Sequence, residues 1–147
     1  MEAEERAPTP AAKVAPSLRS GQALTGDRTV KYMMFIKHSE NFRNQEIPPA
    51  LLKAMGEFVA GSMKRGVLKD TAGLKPTSEG FRVRLSGGKV KVTDGPFTEA
   101  KEVVGGYALV EVKSREEALK IAREFIELHR KHWPGFECES EVRPLEE

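Results

Sequence analysis

The pattern of apolar positions changes period several times along the chain. From Thr29 to His38, TVKYMMFIKH alternates as a strand, with Val30, Tyr32, Met34 and Ile36 on one face. Met33 and Phe35 make the opposite face apolar as well. An antiparallel strand with one face in water alternates cleanly, so this strand asks for cover on both sides. From about Pro48 to Arg65 the period is helical, and Leu51, Leu52, Met55, Phe58, Val59 and Met63 form the stripe. Proline is tolerated at a helix start, Lys64 and Arg65 suit the negative end of the dipole, and Gly66 is placed to end the helix. Gly56 and Gly61 weaken this helix by up to roughly 1 kcal/mol each unless close packing needs them.

GVLKDTAGLKP predicts a short, irregular strand, and FRVRLSGGKVKVT predicts a β-hairpin. In the hairpin Phe81, Val83 and Leu85 alternate with Arg82 and Arg84. Ser86 to Lys89 turns the chain, and Val90 and Val92 resume the alternation. GGYALVEV is the next strand. The second helix follows in SREEALKIAREFIELHRKH, where Ser114 and Glu117 make a capping-box pattern. Its stripe is Ala118, Ile121, Ala122, Phe125, Ile126 and Leu128, and Trp133-Pro134-Gly135 ends it. A last strand is expected from Phe136 to Leu145. The order is β-α-β, a hairpin, then β-α-β. This predicts an α+β fold of the ferredoxin-like, split βαβ type, with an inserted β-hairpin in an antiparallel sheet. The apolar second face of the first strand favours a partner, most simply the same sheet of a second copy, and a homodimer is expected.

Residues 1–28, rich in Ala, Pro, Ser and Gly, show neither period and are expected to form a disordered extension before a domain at 29–147. Lys and Arg number 24 against 22 Asp and Glu, a balance that gives no electrostatic case for nucleic acid or an anionic membrane. The single cysteine, Cys138, excludes an internal disulfide and a cysteine metal cluster. The acidic start lacks an apolar signal core and no run is long enough to span a bilayer, so a cytoplasmic protein is expected. The glycine pairs Gly87-Gly88 and Gly105-Gly106 match neither a Walker loop nor a dinucleotide fingerprint, and no cofactor is expected.

Candidate chemistry gathers around Asp94-Gly95-Pro96-Phe97. Asp94 reads as a turn residue bonding its own backbone, or as a general base if a cleft raises its pKa. Gly95 is expected at positive φ between Asp94 and Pro96. His38, at the end of the first strand, reads as an exposed imidazole or as a partner relaying a proton with Asp94. Phe97 plugs the core or caps a ligand pocket, and Lys101 belongs to a solvated face or binds a polar ligand. His129 and His132 are three apart on a helix. Without further ligands they predict no metal site, and His129 continues the apolar stripe as a packing residue. Cys138 falls on the apolar face of the last strand and is expected to be buried.

LLKAMGEFV, GVLKDTAGLKP, VRLSGGKVKVTDGPFTEAKEVVGGYALVEVKSREEA and ESEVRPLEE resemble the YCII-related family, in its DGPF-motif branch. The resemblance runs from about Lys31 to Glu147. It implies a ferredoxin-like fold paired into a dimeric α/β barrel with a cleft beside the sheets. It also implies a His-Asp pair as acid and base in some relatives, and association of some branch members with sigma factors. The leading functional expectation is a cofactor-independent small-molecule enzyme, a lyase or isomerase moving a proton in a dimer cleft. The alternatives are a small-ligand-binding or regulatory protein associated with a sigma factor, and a structural dimer without catalysis.

Overall fold

The computed structural model describes residues 28–41 and 45–147. The extension expected at 1–28 therefore lies outside the described residues, except for Arg28. Strand β1 (Val30–His38) leads to helix α1 (Pro49–Lys64) and then to β2 (Leu68–Gly73). A 3-10 turn (Thr77–Glu79) precedes β3 (Phe81–Ser86) and β4 (Lys89–Asp94). The chain continues through β5 (Val103–Val112), α2 (Arg115–His132) and β6 (Glu139–Pro144). Four strands form one sheet in the order β2-β5-β1-β6, and every neighbouring pair is antiparallel. Strands β3 and β4 form a separate two-stranded sheet. The result is a mixed α+β architecture with two helices, compatible with a ferredoxin-like fold.

The first strand has the two-sided character read from its sequence. Met34 and His38 are buried, and the residues between them are half-buried on both faces. Met34 packs with Leu68, Val110, Val112, Ala118, Ile121 and Ala122 in the core between sheet and helices. Val110 and Val112 lie on the same face of β5 and are almost wholly enclosed. The stripe of α1 departs from the expected one. Leu51, Met55, Phe58, Val59 and Ser62 face inward, whereas Leu52 and Met63 are about half exposed. The spacing i, i+4, i+7, i+8, i+11 keeps one side of the helix on the sheet, and Leu52 and Met63 fall off that arc. Leu51 is completely buried, a contribution of roughly 1.5–3 kcal/mol relative to exposure. Neither Gly56 nor Gly61 has a neighbour within 4 Å of where a Cβ would stand, so packing does not require them.

Helix α2 starts as its capping pattern predicts. Ser114 Oγ accepts from the Glu117 amide at 3.1 Å, and Glu117 Oε1 accepts from the Lys113 amide at 2.9 Å. Phe125 of α2 meets Phe58 of α1 with ring centroids 5.7 Å apart, tying the helices together. The last strand begins at Glu139, later than expected, because Gly135 at φ 88° turns the chain and Phe136 bonds back to Trp133. Between β3 and β4 the two-residue turn Gly87-Gly88 has φ of 60° and 78°. This is the demand of a tight hairpin turn with both central residues at positive φ. No described helix is long and apolar enough to cross a membrane.

Candidate functional site

The sheet and the two helices enclose a cavity of about 420 Å³, within the range that holds a small organic molecule. Its walls are mostly apolar: Met34 and Ile36 from β1, Leu51, Met55 and Phe58 from α1, and Val110 from β5. Polar atoms reach it at few points, among them His38, Ser62 and His129.

His38 stands at the end of β1 and is only 6% exposed, so the reading of it as a surface imidazole is corrected. Its Nδ1 donates to the carbonyl oxygen of Ser39 at 2.8 Å. A carbonyl can only accept, so this bond places the hydrogen on Nδ1 and leaves Nε2 of the neutral ring with a lone pair. The ring sits against Gly105. A Cβ at that position would lie 2.2 Å from His38 Nε2, so only glycine admits the imidazole as it stands. The ladder between β1 and β5 also shifts register here. Ile36 pairs with Gly106 and Lys37 with Val104, which leaves Gly105 as an extra residue. Such a bulge re-aims side chains at the end of a sheet.

The second imidazole, His129 in the last turns of α2, is also buried. Its Nδ1 donates to the Phe125 carbonyl at 2.9 Å, which again leaves Nε2 as the acceptor. Burial pushes its pKa below the ordinary histidine value, and the neighbouring His38 acts in the same direction. The Phe136 ring connects the two, 5.8 Å from the His38 ring and 5.7 Å from the His129 ring between centroids. Trp133 stacks on Phe136 at 4.2 Å and nearly parallel. Ser62 from α1 completes the polar set. Its Oγ is buried without a hydrogen-bond partner although it lines the cavity. Sequence reasoning misses Ser62, Gly105, Trp133 and Phe136 as site residues. For the serine, the i, i+4 step from Phe58 to Ser62 on the inner face of α1 is the available signal.

His38 also borders a second cavity of about 520 Å³, with Ser39, Lys101, Glu102, Glu137, Cys138 and Glu139. Lys101, exposed in the loop before β5, is brought near His38 in this way. Cys138 is half-buried, and burial raises its thiol pKa away from the reactive range. Next to His38 in sequence but on the opposite face of β1, Lys37 bonds Glu141 at 2.8 Å and approaches Glu102 and Glu139 at 3.8 and 4.0 Å. The bond to Glu141 chiefly raises the Lys37 pKa and keeps it charged.

The Asp94–Phe97 segment stands apart from both cavities. Asp94 is exposed at the end of β4, opposite Phe81, and lines neither cavity. Gly95 does not have positive φ, contrary to expectation; its requirement is steric. A Cβ there would fall 1.7 Å from the Thr77 carbonyl oxygen, and its own amide donates to the Gly80 carbonyl at 2.9 Å. The Gly95–Pro96 peptide is cis. Phe97 donates its amide to Thr77 Oγ1 at 3.1 Å, and its ring carries the Arg82 guanidinium 3.9 Å above it. Arg82 in turn pairs with Glu99. These contacts lock the base of the hairpin to the 3-10 turn. Among the described residues no group of three or more His, Cys, Asp or Glu side chains converges as a metal site, and His132 does not join His129 at the cavity wall.

Comparison with curated proteins finds a relative in Rhizobium meliloti (strain 1021), the uncharacterized protein R00369. It is 40% identical over 62 residues, which cover 42% of this chain and 50% of the relative. The chain thus matches about half the length of that protein. The family model of the YCII-related domain matches residues 30–126, the stretch running from β1 into α2 and including Gly105, His38 and the whole hairpin. With about two thirds of its length accounted for in this way, the chain belongs to the YCII-related domain family.

Proposed function

We propose that the chain is a cofactor-independent enzyme that moves a proton on a small, largely apolar carbonyl compound, as a lyase or isomerase does. The observation that carries this reading is the buried His38, whose Nδ1–H is fixed by Ser39 so that Nε2 is an acceptor at the wall of an apolar cavity. In this reading His38 Nε2 takes a proton from the carbon beside the carbonyl, the electron pair of that C–H bond becomes the C=C bond of an enolate, and the π pair of the C=O bond passes to the oxygen. The unpartnered Ser62 hydroxyl is a candidate donor to the resulting enolate. Where the compound is β,γ-unsaturated, returning the proton from the His38 imidazolium to the γ carbon of the dienolate, with the oxygen's electron pair reforming the carbonyl, completes an isomerisation. Lys101, which lines the second cavity together with His38, is a candidate contact for a polar end of the ligand. Asp94 and Phe97 serve this reading through the hairpin base that they help to build.

The strand order β2-β5-β1-β6 supports a ferredoxin-like split βαβ in which β3 and β4 are an insertion. The half-buried apolar residues Met33 and Phe35, on the face away from the helices, support pairing of two copies through that face, as in a dimeric α/β barrel. The DGPF segment supports placement in that branch of the family.

The test is hydrogen–deuterium exchange at the carbons flanking the carbonyl of 2-tetralone, followed by NMR in deuterated buffer. The wild-type protein is expected to accelerate exchange, and His38→Gln to remove roughly 10²-fold or more of that acceleration. Equal exchange with both proteins would refute proton transfer by His38. Saturable binding without exchange would leave the second reading, a ligand-binding protein, which the apolar lining of the cavity favours.

A further inference from the structure

His129 is the buried polar side chain to which proton transfer by His38 gives no task. It is 7% exposed, stands in the last turns of α2 and lines the same cavity as His38 and Ser62. Packing alone does not require an imidazole there. A phenylalanine would fill the space without burying a nitrogen that lacks a partner, and an unpaired buried polar atom costs free energy. Nor does the charge of a histidine serve the helix end. A cation beside the last carbonyls favours a helix, but burial lowers the His129 pKa and keeps the ring neutral.

The ring is held in one orientation. Its Nδ1 donates to the Phe125 carbonyl at 2.9 Å. Phe125 meets it edge-on with centroids 4.9 Å apart, and Phe136 stacks against it at 5.7 Å. Tying Nδ1 to the helix backbone turns the other edge of the ring, with Nε2, away from that backbone. No described residue donates to Nε2, which carries a lone pair and no hydrogen. Ser62 supplies the complementary group: it is 2% exposed, and its unpartnered hydroxyl can donate. None of the described residues that line the cavity is Lys, Arg, Asp or Glu. An ionised ligand group would be buried there without a counter-charge, which costs far more than burying a neutral polar group. The rings of Phe58, Phe125, Trp133 and Phe136 complete a wall suited to a planar, cyclic molecule.

We propose that His129 determines specificity by reading a hydroxyl group, and that the cavity takes an uncharged, cyclic hydroxy ketone. The ligand hydroxyl donates to His129 Nε2, the carbonyl oxygen accepts from Ser62 Oγ, and the ring packs among the aromatic side chains. This deepens the reading of the cavity as the substrate site and rests on it, but it does not depend on proton transfer by His38.

The probes are 2-tetralone, its derivatives with one hydroxyl on the aromatic ring, the methyl ether of each, and the matching carboxylates. Each is titrated calorimetrically into the full chain at neutral pH. At least one hydroxylated compound is expected to bind roughly tenfold tighter than 2-tetralone and than its own ether, as one well-placed hydrogen bond allows. The carboxylates should bind more weakly than 2-tetralone. His129→Phe should erase the preference for the hydroxyl while still binding 2-tetralone, and His38→Gln should keep it. A second readout uses the wild type alone. The His129 Nε2 nitrogen resonance should move further upfield with the hydroxylated compound than with its ether, as it does when that nitrogen accepts a hydrogen bond. A hydroxyl preference found with no derivative, or one that survives in His129→Phe, overturns the proposal. So does tightest binding by a carboxylate. An unmoved resonance overturns it even where His129→Phe does not fold. Deuterium exchange into 2-tetralone without any hydroxyl preference would overturn this proposal and leave proton transfer by His38 standing. The preference without exchange would do the reverse.

Discussion

The imidazole of His38 occupies the space that a side chain at Gly105 would take: a Cβ there would come within 2.2 Å of Nε2 and 2.8 Å of Cδ2. Gly105→Ala is therefore expected to displace the ring from the cavity wall. Overpacking of this kind costs roughly 1–3 kcal/mol. The sharper check is the nitrogen chemical shifts of the His38 ring. They should leave the Nδ1–H pattern in the variant and keep it in wild type.

Gly95→Ala meets a harder obstacle, because the atom in its way is the Thr77 backbone carbonyl rather than a side chain. The hairpin base must open. Since the hairpin lies outside the main sheet, the loss is expected to be local. Amide exchange should quicken from Phe81 to Asp94, while Val110 and Val112 in the core remain protected.

His129 links stability to pH. Burial lowers its folded pKa below the ordinary value of 6.5, with His38 adding to the effect. Above 6.5 the ring is neutral in both states and its contribution is complete. As pH falls below 6.5, the unfolded chain takes up a proton that the folded chain resists, and stability declines until pH passes the lowered folded pKa. The slope from this one group is at most about 1.4 kcal/mol per pH unit. Urea denaturation between neutral pH and pH 5 should show the decline. His129→Phe, which keeps an aromatic ring among Phe125 and Phe136, should flatten it.

Gly56 lies in the middle of α1, exposed and without a neighbour within 4 Å of the place a methyl group would occupy. Gly56→Ala should stabilise the protein by roughly 0.5–1 kcal/mol through helix propensity alone. A raised thermal midpoint would register it, and a lowered one would reveal a contact made at that surface in an assembly.

The elements are legible wherever their cause is local. The alternation of β1, the Ser114–Glu117 cap and the Gly87–Gly88 turn each lie within a few residues, and the chain folds there as they dictate. The site is less legible because its causes cross the sheet. His38 reads as a surface residue until Gly105, 67 positions later, is brought beneath it by the β1–β5 ladder. Its neighbours Asp94 and Pro96 suggest a conformational reason for Gly95, but the constraint comes from Thr77 on another turn. The inner arc of α1 similarly selects Ser62 over Met63, which hydrophobicity alone would reverse.

Strand β2 and strand β5 are ladder neighbours, with Gly73 opposite Gly106 and the Leu74 amide donating to the Gly105 carbonyl at 2.9 Å. The chain between them thus leaves the sheet and returns to it at almost the same point. Beyond the base that Gly95, Thr77 and Gly80 hold together, the excursion can lengthen, shorten or change sequence while its two ends keep their separation. Such a fold divides the work of selection: the sheet and helices are constrained by packing, and the excursion is free to acquire new surface chemistry by insertion or recombination.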